Sequence, residues 1–251
     1  MSGHSKWSTI KRKKGAADAK RGKIFTKLIR EIATAARIGG GAVDSNPRLR
    51  LAVEKARAAN MPKDNIERGI VKGTGTGEGE AYEQVVYEGY GPGGVAVYVD
   101  VLTDNKNRTV GDVRHILTKN GGNLGANGCV AYLFAKRGVL SFPRPDVDAD
   151  GLMEAALDAG ADDIIESDET LDVIVSPAGF EALNAALQQA GFNSENAEIS
   201  MQPSSTVEIE GAAAESMLRL TDALEELDDV QNVYANYDIS DEEMARLIAV
   251  Q

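Results

Sequence analysis

A near-repeat in the second half of the chain limits the fold more than any other feature. Ala155-Ala156-Leu157 with Ala159-Gly160 recurs as Ala185-Ala186-Leu187 with Ala190-Gly191, about 30 residues later. Each copy reads as a helix end closed by glycine. A strand-like stretch follows each, over 162–166 and 196–201, and two more lie at 139–142 and 171–175. Residues 138–202 therefore spell β-α-β-β-α-β, the split βαβ order of a ferredoxin-like sandwich.

The first third is helical instead. Ile24, Leu28, Ile29, Ile32, Ala35 and Ala36 fall on one face at helical spacing, and Gly39-Gly40-Gly41 stops the run. Asn46 is an N-cap with Pro47 at the first helical position. Leu49, Ala52, Val53 and Ala56 form the buried stripe of that second helix, which leaves Arg48, Arg50, Lys55 and Arg57 on its outer surface. A third helix opens near Pro62, anchors on Ile66 and Ile70, and ends at Gly73. Short amphipathic helices do not stand alone, so residues 24–73 are expected to form a three-helix bundle. The glycine-rich stretch 73–79 is a flexible hinge.

Beyond the hinge, 82–90 and 95–102 read as strands joined by a turn at Gly91-Pro92-Gly93-Gly94. Val110, Val113, Ile116 and Leu117 mark a helix closed by Gly121-Gly122, and Val130 to Phe134 is another strand candidate. The tail supplies a strand at 207–209, a helix at 212–227 and a strand at 230–237. These are too few for a separate domain and are expected to return to the strands of 82–134. The resulting scheme is a multidomain α+β chain: a basic arm over 1–23, bundle and hinge over 24–80, a discontinuous α+β domain from 81–137 plus 203–251, and an inserted ferredoxin-like domain over 138–202.

Charge divides along the same lines. The whole chain has a net charge of -12. Residues 1–80 hold 18 Lys+Arg and 8 Asp+Glu, a net of +10; residues 81–137 hold 6 and 5; residues 138–251 hold 3 and 26, a net of -23. A basic module attached to an acidic body points to nucleic acid as the partner of the first part. One cysteine excludes a disulfide framework, and two histidines leave no His/Cys metal set. No apolar run approaches the roughly 20 residues of a membrane helix. The first 25 residues lack the apolar core of a signal peptide; the basic, nearly acid-free stretch 1–30 keeps a mitochondrial presequence as the minor alternative, against which its lysine excess argues, and a cytoplasmic location is expected.

Catalytic signals are weak. Gly89-Tyr90-Gly91-Pro92-Gly93-Gly94 matches G-x-G-x-x-G, yet Pro92 and the β-branched run after it describe a hairpin turn rather than a phosphate-binding helix start. His115 has no acid at i−4 or i+4, and Cys129 reads as a small buried hydrophobe. No cofactor, metal or small-molecule substrate is implied, and the chain is expected not to be an enzyme.

Binding signals are stronger. Lys6, Lys11, Arg12, Lys13, Lys14, Lys20, Arg21 and Lys23 form the basic arm, and Lys27, Arg30, Arg48, Arg50, Lys55 and Arg57 extend it over the bundle. Such side chains neutralise phosphates with release of counterions. Trp7 either stacks on an unpaired base or packs the arm onto the bundle. Asp104 and Asn107 can cap the helix that carries Val110, while Lys106, Asn107 and Arg108 offer a secondary backbone contact near its start.

Gly3-His4-Ser5-Lys6-Trp7, residues 20–27 (KRGKIFTK), Asn46-Pro47-Arg48-Leu49, residues 87–94 (YEGYGPGG), residues 104–109 (DNKNRT) and Gly121-Gly122-Asn123-Leu124-Gly125 together closely resemble the YebC/PmpR family, over essentially the whole chain. That family includes the mitochondrial translational activator of cytochrome c oxidase. The resemblance implies an N-terminal helical bundle followed by two ferredoxin-like α+β domains, the third inserted in the second. It also implies a DNA-binding transcriptional regulator, or alternatively a ribosome-associated translation factor whose nucleic acid is ribosomal RNA. The acidic domains would contact the ribosome or another protein. The family brings no catalytic site.

Overall fold

A computed structural model describes residues 19–75, 82–167 and 170–250. The stretch 1–18, most of the expected arm, and hinge positions 76–80 lie outside the described residues. Helix α1 (Ala19–Gly39) opens ahead of its first apolar anchor, so Arg21 and Lys23 belong to a helix rather than to an arm. Lysine and arginine are good helix formers, and a helix can extend past its apolar stripe. Helices α2 (Pro47–Ala58) and α3 (Lys63–Thr74) complete the bundle.

Asn46 caps α2 by accepting the Leu49 backbone N–H at 3.1 Å. Ile32, Ala35, Ala36, Leu49, Ala52, Val53, Ala56 and Ile66 close the bundle core, whereas Ile24 stays exposed. Helices α1 and α3 cross at the backbone: a Cβ added at Gly73 would sit 2.3 Å from the Ala33 carbonyl oxygen.

The second sheet has the order β3-β1-β2-β9, all neighbours antiparallel. It is built from β1 (Glu83–Tyr90), β2 (Ala96–Thr103), β3 (Asn123–Leu124) and β9 (Val230–Ala235). Helices α4 (Lys106–Lys119) and α7 (Gly211–Glu225) cover one face, where Val97, Val99 and Val101 meet Val113, Leu117, Met217 and Leu220. The tail thus returns to the middle of the chain through the β2–β9 pairing. Strand β8 (Val207–Glu208) pairs in parallel with β10 (Tyr237–Asp238), and α8 (Asp241–Val250), which periodicity did not reveal, closes the chain. The strand expected over 230–237 breaks at Asn236, whose side chain accepts the Ala96 N–H at 2.7 Å and donates to the Ser205 carbonyl at 3.1 Å.

The third sheet has the order β5-β6-β4-β7, from β4 (Phe134–Pro143), β5 (Asp163–Glu166), β6 (Thr170–Val175) and β7 (Asn196–Pro203). With α5 (Ala149–Asp158) and α6 (Phe180–Gln189) this is the ferredoxin-like order. Strands β4 and β7 pair from Phe134↔Pro203 to Ser141↔Asn196. The boundaries drawn at 137/138 and 202/203 therefore fall inside a paired ribbon. No helix among the described residues is long and apolar enough to cross a membrane.

Two expectations need correction. Val130 to Phe134 is not a strand: Ala131–Leu133 is a 3-10 turn and β4 starts at Phe134. The cause is Glu88, whose buried carboxylate accepts the backbone N–H groups of Gly128, Val130 and Ala131 at 2.6, 2.8 and 2.7 Å and removes them from any ladder. The cap of α4 is neither Asp104 nor Asn107 but Asn105, which accepts the Arg108 N–H at 3.0 Å. Asn107 lies inside the first turn and Asp104 pairs with Arg108 at 2.7 Å.

Candidate nucleic-acid interface

Lys23, Lys27 and Arg30 follow one another at i, i+4 and i+7, which sets them along one face of α1. That face does not look into solvent. It meets the C-terminal end of α7, where helix carbonyls carry partial negative charge. Lys23 donates to the Glu226 carbonyl at 3.1 Å and pairs with the Glu226 carboxylate; Lys27 donates to the Glu225 carbonyl at 2.6 Å. Arg30 donates to the Leu102 carbonyl at 3.2 Å and pairs with Asp229.

Asp229 is the centre of this contact. Besides Arg30, it accepts Thr109 Oγ1 at 2.6 Å, Arg108 Nη2 at 2.8 Å and Thr103 Oγ1 at 3.2 Å. Burial alone would push its carboxyl up, but the hydrogen bonds from Arg108, Thr109 and Arg30 outweigh that and hold it at about 2. The Tyr82 ring takes the Arg30 guanidinium and the Lys72 ammonium, each 5.1 Å from its centroid.

The cations of α2 are also answered within the chain. Arg48 forks onto Glu31 of α1 through Nε at 2.6 Å and Nη2 at 3.0 Å, an arrangement that raises its already high pKa. Arg50 pairs with Glu181 of α6 at 2.9 Å and donates to the Asp44 carbonyl at 2.6 Å; Lys55 reaches Glu198 of β7 at 3.3 Å. Arg57 is exposed and has no ion pair among the described residues. The secondary candidates divide in the same way. Lys106 pairs with Glu83 at 2.5 Å, Arg108 is held by Asp104 and Asp229, and Asn107 is exposed.

The structure thus brings most of the bundle's candidate cations against acid rather than into one open patch. Lys6, Trp7, Lys11, Arg12, Lys13 and Lys14 lie outside the described residues. Lys20 falls in α1, and Arg21 is not without a partner. Asp229, Thr103, Thr109 and Tyr82 were missed because nothing local marks them: Asp229 is 199 positions from Arg30 and 120 from Thr109.

These pairs differ in what they can do. Arg30 and Asp229 have side chains only 13% and 9% exposed. Removing one partner of such a pair leaves a buried charge, which costs about 3–5 kcal/mol. Lys23 and Glu226 are 43% and 54% exposed. Pairs of that kind are worth about 0–1 kcal/mol, so a phosphate can displace the carboxylate. The site is therefore one fixed ionic pin surrounded by exchangeable pairs.

The remaining motifs show no catalytic geometry. The Gly91-Pro92-Gly93-Gly94 string closes the β1–β2 hairpin, with Gly93 and Gly94 at φ 74° and 77°, and a Cβ at Gly91 would meet Met217 Sδ at 2.6 Å. His115 is exposed, and Cys129 is half-buried with its thiol pushed up by burial. Among the described residues no group of three His, Cys, Asp or Glu is placed to hold a metal.

Comparison with known proteins supplies the affiliation. A probable transcriptional regulatory protein of Citrifermentans bemidjiense is 59% identical over 248 residues, covering 99% of this chain and 100% of that protein. A protein of the same description from Geobacter sulfurreducens is 60% identical over 248 residues, with coverage of 99% and 100%. The crystal structure of a conserved hypothetical protein from Aquifex aeolicus superposes with a TM-score of 0.84 at 49% identity, over 90% of this chain and 93% of that one. The N-terminal domain description of TACO1/YebC proteins matches residues 5–76 and that of their second and third domains matches 82–237, so the chain belongs to the TACO1/YebC family.

Proposed function

We propose that this chain is a non-enzymatic, cytoplasmic, nucleic-acid-binding regulator of gene expression that grips phosphate backbone through residues 1–73. The observation that carries the reading is the division of charge: a net of +10 over 1–80 set against -23 over 138–251. The arm cations from Lys6 to Lys20 make the first contacts and Arg57 extends them. Lys23, Arg50 and Lys55 join by exchanging a carboxylate for a phosphate. Contacts of this type position a protein on a strand without reading its sequence. The names of the relatives support a transcriptional role, and DNA is the partner that such a role asks for.

A second reading, ribosomal RNA as the partner of a translation factor, is favoured by how the bundle uses its charge. Lys23, Lys27, Arg30, Arg48, Arg50 and Lys55 all meet carboxylates or carbonyls, so these six do not form the open cationic helix face that a major groove takes. An irregular RNA surface asks only for phosphate contacts and stacking.

Sucrose-gradient sedimentation of lysate at low and high salt, combined with mapping of chromosomal occupancy, separates the two. Discrete promoter occupancy with no ribosomal co-migration is the expected transcriptional outcome. Salt-sensitive migration with ribosomal particles replaces it with the second reading. Absence of both at low salt overturns nucleic-acid binding altogether.

A further inference from the structure

The nearly neutral middle of the chain conceals a second basic stretch. Residues 105–137 contain six Lys+Arg and a single acid, Asp112. Lys106, Arg108 and Arg137 are paired with Glu83, Asp229 and Asp162. Arg114, Lys119 and Lys136 are exposed, and none of them forms an ion pair among the described residues.

The path of the chain links them through one sheet edge. Arg114 and Lys119 occupy the solvent side of α4, whose opposite side is buried through Val113 and Leu117. From Lys119 the chain turns at Gly121, φ 81°, and passes Gly122, where a Cβ would meet the Tyr90 carbonyl at 2.4 Å. It then enters β3, the edge strand of the second sheet. Exposed Asn123, Ala126, Asn127 and Gly128 line this edge before the 3-10 turn that carries Tyr132.

Tyr132 is 74% exposed, and it is the only aromatic residue among the exposed large hydrophobics of the described chain. Its backbone is not free to fold the ring away. Glu88 holds the N–H groups of Gly128, Val130 and Ala131, Leu133 donates to the Val130 carbonyl at 2.9 Å, and Val130 and Phe134 on either side are buried. The carboxyl of Glu88 stays below its ordinary pKa: burial would push it up, but those three hydrogen bonds prevail. A ring fixed in solvent by a rigid turn loses little freedom when a flat partner stacks on it. Among the described residues no hydrogen bond or ring contact uses its outer face.

We infer that the β3 edge, with exposed Arg114 and Lys119 before it in the chain and exposed Tyr132 and Lys136 after it, is a second contact surface for an unpaired stretch of RNA. Phosphates meet the three cations, and one base stacks on Tyr132. This combination of a cationic track with an aromatic platform suits a single strand, because a duplex keeps its base faces buried. The inference rests on the nucleic-acid reading above but assigns a different surface, remote in sequence from residues 1–73.

The test uses the full chain and two fluorescent probes of equal length, a uridine-rich single-stranded RNA and an RNA hairpin duplex. Tyr132→Ala should weaken the single strand at least about fivefold and leave the duplex unchanged, and Tyr132→Phe should keep wild-type affinity. The triple change Arg114→Gln, Lys119→Gln, Lys136→Gln should flatten the single-strand salt slope by about 2, at roughly 0.7 per lost phosphate contact. Circular dichroism confirms that these exposed substitutions leave the fold intact. Equal loss on both probes, or no loss on either, overturns the stacking surface. A separate variant, Lys11→Gln, Arg12→Gln, Lys13→Gln, Lys14→Gln, tests the first reading. If it binds normally while Tyr132→Ala does not, the arm is wrong and this surface stands; the reverse pattern removes this surface alone.

Discussion

The chain carries two basic regions, and each divides its cations between acidic partners and water. In the bundle, Lys23, Arg30, Arg48, Arg50 and Lys55 face carboxylates: Glu226 and Asp229 just past the end of α7, Glu181 in α6, Glu198 in β7 and, within the bundle, Glu31 in α1. In the stretch 105–137, Arg114, Lys119 and Lys136 face water. The bundle has the larger formal charge, yet much of its described part is already neutralised by the acidic body. The middle is nearly neutral by count and still offers unopposed cations. Formal charge along a sequence and available charge on a surface are therefore different quantities. A net of -12 cannot reveal which cations a phosphate will find free.

The buried end of the bundle contact should give the largest effect. Asp229→Ala removes the acceptor shared by Arg30, Arg108, Thr103 and Thr109 and leaves a buried guanidinium unpaired. A loss of about 3–5 kcal/mol is expected in urea unfolding. Asp229→Asn should lose less, because its amide oxygen still accepts. If Asp229→Ala unfolds like the wild type, the pin is an ordinary surface pair and the contrast between fixed and exchangeable cations fails. Close packing within the bundle provides an uncharged comparison. Gly73→Ala forces a Cβ against the Ala33 carbonyl oxygen at 2.3 Å, and overpacking of this kind costs about 1–3 kcal/mol in the same measurement.

Acid should act on the same pin. The folded state holds the Asp229 carboxyl at about 2, below its ordinary value of 3.8. A group lowered by folding contributes stability above its ordinary pKa and loses it as the folded pKa is approached. Stability measured from pH 5 downward should fall between about 4 and 2 in the wild type, and that component should be missing from Asp229→Asn. A parallel decline in both proteins would place the acid sensitivity elsewhere.

What could be read from the sequence follows the range of each interaction. Helix α2 was legible because its determinants are local: the Asn46 cap acts on Leu49, Pro47 starts the turn, and Leu49, Ala52, Val53 and Ala56 repeat at helical spacing. The β-α-β-β-α-β order was legible because glycine-closed helices alternate with β-branched runs. Val130 to Phe134 was not, since five apolar residues suit a strand or a turn equally and Glu88, 42 positions before Val130, decides. Arg48, Arg50, Lys55 and Arg57 were expected on the outer surface of α2, and of these four only Arg57 is fully exposed. Helical periodicity cannot tell that Glu181 and Glu198, 131 and 143 positions away from Arg50 and Lys55, would cover that surface.

The smallest effect on stability should be the most informative about binding. Glu226, Glu181 and Glu198 hold Lys23, Arg50 and Lys55 in partly exposed pairs, each worth about 0–1 kcal/mol. Changing all three to glutamine should barely move the unfolding midpoint, but it should tighten binding to nucleic acid. The salt dependence separates this from a general charge effect. In the wild type, a phosphate that displaces a carboxylate releases its counterion while the freed carboxylate takes up a cation, so the net release is small. Without the carboxylate the full release is recovered, and the slope of log K against log salt steepens by up to about 0.7–0.9 per exchanged pair. A matched control, Glu154→Gln, Asp158→Asn and Glu208→Gln, makes the same change in net charge at exposed acids that form no ion pair among the described residues. It should raise affinity slightly through the long-range field and leave the slope unchanged. Identical slopes in both triples would mean that Lys23, Arg50 and Lys55 never exchange partners, and that binding rests on the arm and on cations that already face solvent.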